Sequence, residues 1–147
     1  MRGGFVHNHV LLEPIEEHFR GCGATVHHEH PTRPGRSARF LDLHVRLNGR
    51  VIAVEAELSV KRVCADVEKA REVGAQLLLI VVPTRRVART AVARLHEARV
   101  LSGDLAVWVL PLGRALQRLR DCFPLIPGAN VPVEDRSQTA VGGRGGQ

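Results

Sequence analysis

The sequence of 147 residues lacks tyrosine altogether and holds one tryptophan and four phenylalanines, an aromatic content of 3%. So few rings leave no stacking platform for unpaired bases, which excludes a dedicated single-strand binder. Cysteine is scarce: Cys22, Cys64 and Cys122 are odd in number and far apart. That spacing excludes a disulfide framework and a zinc ribbon. The stripe of residues 9–22 includes Cys22, and Cys64 and Cys122 fall on apolar helix positions, so they are expected in the core. The apolar run "LLLIVVP" is far too short to span a bilayer. The opening residues show no apolar segment followed by a cleavage site, so a cytoplasmic location is expected. A phosphate-cradling glycine loop, a nucleophilic triad and internal repeats are also missing.

What is present is an ordinary globular balance of 44% hydrophobic and 24% charged residues, in a length that suits one domain. The net charge is +6, carried almost entirely by arginine. A polyanion partner accounts for it, and so does the composition of GC-rich coding.

Periodicity supplies the elements. Residues 9–22 place Leu12, Ile15, Phe19 and Cys22 on one helical stripe, and Pro14 fits the first turn, so this helix is expected to start near Glu13. "ATVHHEH" reads as a short strand, with His28 and His30 on one face and His27 and Glu29 on the other. "RFLDLHVRL" and "RVIAVEAELS" flank Asn48-Gly49, the strongest short hairpin signal. A helix capped by Ser59, the apolar strand "QLLLIVVP", a helix capped by Thr84, the strand "DLAVWVLP" and a short helix ending near residue 123 follow. The order α-β-β-β-α-β-α-β predicts an α/β fold with a mixed sheet covered by helices. One domain is expected over residues 1–123, with a disordered tail over 124–147.

The hairpin turn fixes a register. Leu47 meets Arg50, Val45 meets Ile52, Leu43 meets Val54 and Leu41 meets Ala56 on an apolar face. The other face pairs His44 with Ala53 and Asp42 with Glu55, and Glu57 follows on the same side. Like charges directly opposed in a covered sheet are unfavourable unless paired or bound to metal. A hard dication such as Mg²⁺ suits such carboxylates; an exposed face with ordinary acids is the alternative.

With Asp42 in "FLD", Glu55 and Glu57 in "VEAE" and Lys61 in "SVK", the chain resembles the PD-(D/E)XK nuclease superfamily. The superfamily's α-β-β-β-α-β core matches residues from about 9 to 83, and the resemblance implies a restriction-endonuclease-like fold. Glu57 stands where lysine is usual, as in some restriction endonucleases, and Lys61 on the following segment could replace it. The resemblance implies a metal-dependent endonuclease acting on DNA, with Asp42, Glu55, Glu57 and Lys61 as catalytic residues. Mg²⁺ or Mn²⁺ would then be held by Asp42, Glu55, the Ala56 carbonyl and a first-helix acid, Glu13 or else Glu16 or Glu17.

A catalytically inactive DNA-binding or regulatory relative, or a small protein-interaction module, are the alternative functions. Two segments could meet phosphates. Pro31 to Arg50 holds five arginines against Asp42 alone, with Arg33, Arg36 and Arg39 leading into the Asp42 strand. The third helix holds another five against Glu97. No membrane contact is expected, and a core this small suits a homodimer or a subunit of a larger assembly.

Overall fold

The computed structural model describes residues 3–33 and 39–128. Its first helix, α1, spans Gly3–Gly21 and is longer than expected, with Pro14 in its interior. A proline there forfeits one helical hydrogen bond. Leu11, Ile15 and Phe19 are buried on either side of that position, and packing carries the helix through it. Three strands follow: β1 (Thr25–Pro31), β2 (Phe40–Leu47) and β3 (Arg50–Ala56). Then come α2 (Val63–Glu72), β4 (Leu77–Val82), α3 (Arg85–Ala98), β5 (Ala106–Pro111) and α4 (Leu112–Cys122).

The chain is an α/β fold with a mixed five-stranded sheet in the order β1-β2-β3-β4-β5. The first three strands pair antiparallel and the last three parallel. Asn48 and Gly49 both adopt left-handed backbone, with φ of 54° and 78°, which closes the two-residue hairpin as expected. Its register runs from Leu47↔Arg50 through Val45↔Ile52 to Leu43↔Val54, in agreement with the sequence.

Two apolar layers follow from the alternation of the strands. Leu43, Val45, Ile52, Val54, Leu79 and Val81 meet α1 and α4 on one face. Ala53, Leu78, Ile80 and Val82 meet α2 and α3 on the other. Strand β4 is buried along its whole length, as an all-apolar central strand must be. Thr84 caps α3 by accepting the Val87 N–H at 3.1 Å. Ser59 does not cap α2: that helix starts at Val63 without a side-chain cap, and the Ser59 hydroxyl accepts the Lys61 N–H instead.

The cysteines divide differently from the expectation. Cys22 is buried and its thiol reaches the Phe123 carbonyl at 3.1 Å, but Cys64 is half-buried and Cys122 exposed. Beyond α4, the Ile126 N–H donates to the Gly21 carbonyl at 3.0 Å, which ties the chain at Ile126 to the end of α1. The rest of the tail lies outside the described residues.

Leu79 is fully buried in the central strand. Leu79→Ala is expected to cost about 2–5 kcal/mol of unfolding free energy through lost burial and a cavity. Gly49→Ala, which forces a Cβ into left-handed backbone, should cost about 1 kcal/mol. Chemical denaturation of the two variants checks both values.

Candidate metal centre at the end of strand β3

The regular register stops just before the acids. The pairing of β2 with β3 ends at Leu43↔Val54, so Asp42 and Glu55 are not a ladder pair. The Asp42 carboxylate instead accepts the Ala56 N–H at 2.8 Å. A side chain thus takes the backbone's place at this position. Leu41 leaves the face of Leu43 and Val45 and packs with α2 and α3. The expected apposition of Leu41 with Ala56 therefore gives way to a local break in alternation at Asp42.

Strand β1 has a matching irregularity. Glu29 adopts φ of 47°, in the left-handed region. Alternation is reset there, and His27 and His30 come to one side instead of His28 and His30. His30 stacks on His44 with ring centroids 4.1 Å apart, and His27 lies 6.0 Å from His30. His28 points to the other face, 2.8 Å from Glu16 of α1. Burial, followed by the charges of His30, Arg46 and His27, lowers the His44 pKa to about 4.

The acids at the end of β3 meet two residues of α2. Glu55, Glu57 and Asp66 each offer a carboxylate oxygen, all within 4.8 Å of one another. Glu55 and Asp66 are buried at 2% and 0% exposure. Lys69, one turn beyond Asp66, sits with Nζ 3.1 Å from Glu55 Oε2 and 3.6 Å from Asp66 Oδ1. Its ammonium also donates to the Phe40 carbonyl at 2.9 Å. Asp66 lies close enough to Glu57 to share a proton, yet neither Asp66 oxygen has a hydrogen-bond partner of ordinary geometry among the described residues. A buried carboxylate without a hydrogen bond is costly, and the nearby Lys69 ammonium offsets that cost only in part.

The electrostatics follow from this crowding. Burial, then the neighbouring charge of Asp42, pushes Glu55 up to about 8, with Lys69 opposing and Glu57 adding. Burial, then the proximity of Glu57 and the charge of Glu55, pushes Asp66 up to about 10. Burial works against the Lys69 charge, but Glu55 and Asp66 outweigh it and hold that ammonium above its ordinary pKa. At neutral pH the cluster holds protons that a bound dication would displace.

Comparison with family models, curated proteins and solved structures finds no match to this chain.

Of the residues expected from sequence, Glu55 and Glu57 are brought together, and Asp42 is held beside them through Ala56. Glu13 is not: it is exposed on α1, the helix of the opposite face, 3.7 Å from His9. Glu16 on the same helix pairs with Arg20 and His28, and Glu17 is exposed. Lys61 is exposed in the turn before α2; the lysine at the acids is Lys69. Arg33 and Arg39 are tied to α2 by ion pairs, Arg33 to Glu72 at 2.9 Å and Arg39 to Glu68 and Glu72 at 3.2 and 2.7 Å. Arg36 lies outside the described residues. Asp66 and Lys69 were missed, although a signal existed. Asp66 interrupts the stripe of Val63, Val67 and Ala70 that buries α2, where an unpaired charge has no place.

Between the ordinary carboxylate pKa near 4 and about 8, the folded chain binds more protons at Glu55 than the unfolded chain does. Stability is therefore greatest at the acidic end of that window and falls as pH rises through it. Thermal melts in EDTA should show Tm dropping from pH 5 to pH 8. Asp66→Asn should flatten this dependence and raise metal-free stability at pH 8 by on the order of 1–2 kcal/mol.

Proposed function

We propose that this chain is a metal-dependent endonuclease that hydrolyses phosphodiester bonds in DNA, on a restriction-endonuclease-like core. The observation that carries this reading is the convergence of Glu55, Glu57 and the fully buried Asp66 at the end of β3. An all-carboxylate donor set, hard and anionic, fits Mg²⁺ or Mn²⁺ better than softer metals. Glu55, Glu57 and Asp66 would hold the ion. When bound, such an ion supplies Lewis acidity to a phosphoryl oxygen and lowers the pKa of a coordinated water.

The remaining roles belong to the chain itself. Asp42 is a positioning residue: by accepting the Ala56 N–H it fixes the strand between Glu55 and Glu57 and so aims both carboxylates. Its charge also opposes full ionisation of Glu55 and favours an arriving cation. Lys69 fills the place that Glu57 denies to a lysine on β3. It lies beside Glu55 and Asp66 and offers a charge that can stabilise developing negative charge on a phosphoryl group. Among the described residues no helix is long and apolar enough to cross a membrane.

The reading is tested by cleavage of DNA in Mg²⁺ or Mn²⁺, with ion binding measured separately by calorimetry. Glu55→Gln and Asp66→Asn should each lose more activity than the roughly 10–100-fold typical of an outer-shell partner, together with ion affinity. Lys69→Met should lose activity while Lys61→Ala keeps it. Cleavage that survives both Asp42→Ala and Glu55→Ala sinks the site, and a chain that binds no dication at the acids sinks the mechanism.

A further inference from the structure

Two groups of arginines compete for contact with phosphate, and the structure separates them by what their guanidinium groups already touch. Arg33 and Arg39 are committed to Glu68 and Glu72 of α2. On α3, Arg85, Arg86, Arg89 and Arg94 are exposed, and no ion pair or side-chain hydrogen bond joins their guanidinium groups to any other described residue. The helix has no acid in its first turn, and Glu97 is its one acidic residue. So many like charges along one exposed helix repel one another, and nothing within the described chain relieves them.

The placement of these arginines relates them to the acids. Glu57 donates its N–H to the Val81 carbonyl at 2.9 Å, and Ala56 pairs with Val81 across the parallel strands. Arg85 follows Val81 by four residues, so its backbone lies within about 14 Å of Val81. The N-terminal turn of α3 therefore opens at the same sheet edge as the carboxylates, the edge where parallel strands present their carboxyl ends. Ala88, Ala91 and Leu95 anchor the helix to the sheet. Arg85 and Arg89, one row of the opposite surface, are spaced about 6 Å apart along the axis. Guanidinium forks recognise phosphate oxygens in pairs. The shortage of aromatic side chains argues for contact with the backbone of paired strands, not with bared bases.

We propose that the N-terminal half of α3, through Arg85, Arg86 and Arg89, is the surface on which the phosphate backbone of double-stranded DNA docks, placing a strand at the acids that end β3. The assignment rests on the nuclease reading and deepens it. It gives binding without preference for base sequence, because phosphate contacts carry none. It also removes Arg33 and Arg39 from the DNA surface and makes them a brace for the helix that holds Asp66 and Lys69.

The test is the affinity of the full chain for a short fluorescent duplex over a series of KCl concentrations, in a Glu55→Gln background so that strands stay intact. Joint replacement Arg85→Ala, Arg86→Ala and Arg89→Ala should weaken binding at least about tenfold and reduce the slope of log K against log [KCl] by about 2–3. The corresponding Arg→Lys replacements should keep most of that slope, which separates loss of charge from loss of fold. Arg33→Ala with Arg39→Ala should leave the slope unchanged. An alanine triple variant with the parental slope overturns the assignment, as does transfer of the loss to Arg33 and Arg39; either result leaves the nuclease reading standing, because the parent binds. A parent chain with no salt-dependent affinity for the duplex overturns both together.

Discussion

The ammonium of Lys69 is the interaction on which the rest of the site depends. Glu55 of β3 and Asp66 of α2 are buried, with Glu57 beside them, and a cluster of buried carboxylates is tolerable only with a compensating charge. Lys69 supplies that charge from 3.1 Å at Glu55 and 3.6 Å at Asp66, and a third contact to the Phe40 carbonyl fixes α2 against β2. One cation does not neutralise three acids. The remainder is expressed as retained protons on Glu55 and Asp66 and as the unsatisfied oxygens of Asp66. Lysine and retained protons together permit the chain to fold with its acids assembled.

The same site depends on a deliberate fault in the sheet. Had β2 and β3 stayed paired beyond Leu43 and Val54, Asp42 would have faced Glu55 as a simple opposed pair. By taking the Ala56 N–H, Asp42 satisfies a backbone donor that the opened ladder would have orphaned. The turn of Leu41 toward α2 fills the space the fault creates. Packing, strand geometry and charge placement meet at this residue.

Most of the fold was legible because it is written in strong local signals. Asn48-Gly49 set the hairpin and its register, the apolar run of β4 marked the sheet centre, and Thr84 marked the start of α3. What escaped was decided by contacts between distant segments. Pro14 reads as a helix start, yet burial of Leu11 keeps the preceding turn helical. Glu13 has the right distance from the strands in sequence but lies on the helix of the wrong face. The sequence contains only two lysines, 61 and 69, and nearness to Glu57 favoured the first. The helical phase of α2 favours the second, since Lys69 and Asp66 lie three residues apart beside the buried stripe. Half of the acidic centre was thus visible as strand alternation, and the other half only as a misplaced charge in a helix. The arginines show the opposite limit: composition could not tell a committed guanidinium from a free one.

The left-handed backbone at Glu29 has a consequence beyond the histidines it brings together. Among the described residues strand β1 is an edge of the sheet, with β2 on one side and no strand on the other. An unbroken edge offers its donors and acceptors to any extended chain that passes. A residue at φ of 47° in the middle of that edge interrupts the row of extended backbone. A foreign strand could then match β1 over only a few residues on either side. A kinked border is a poorer template for edge-to-edge pairing than a flat one.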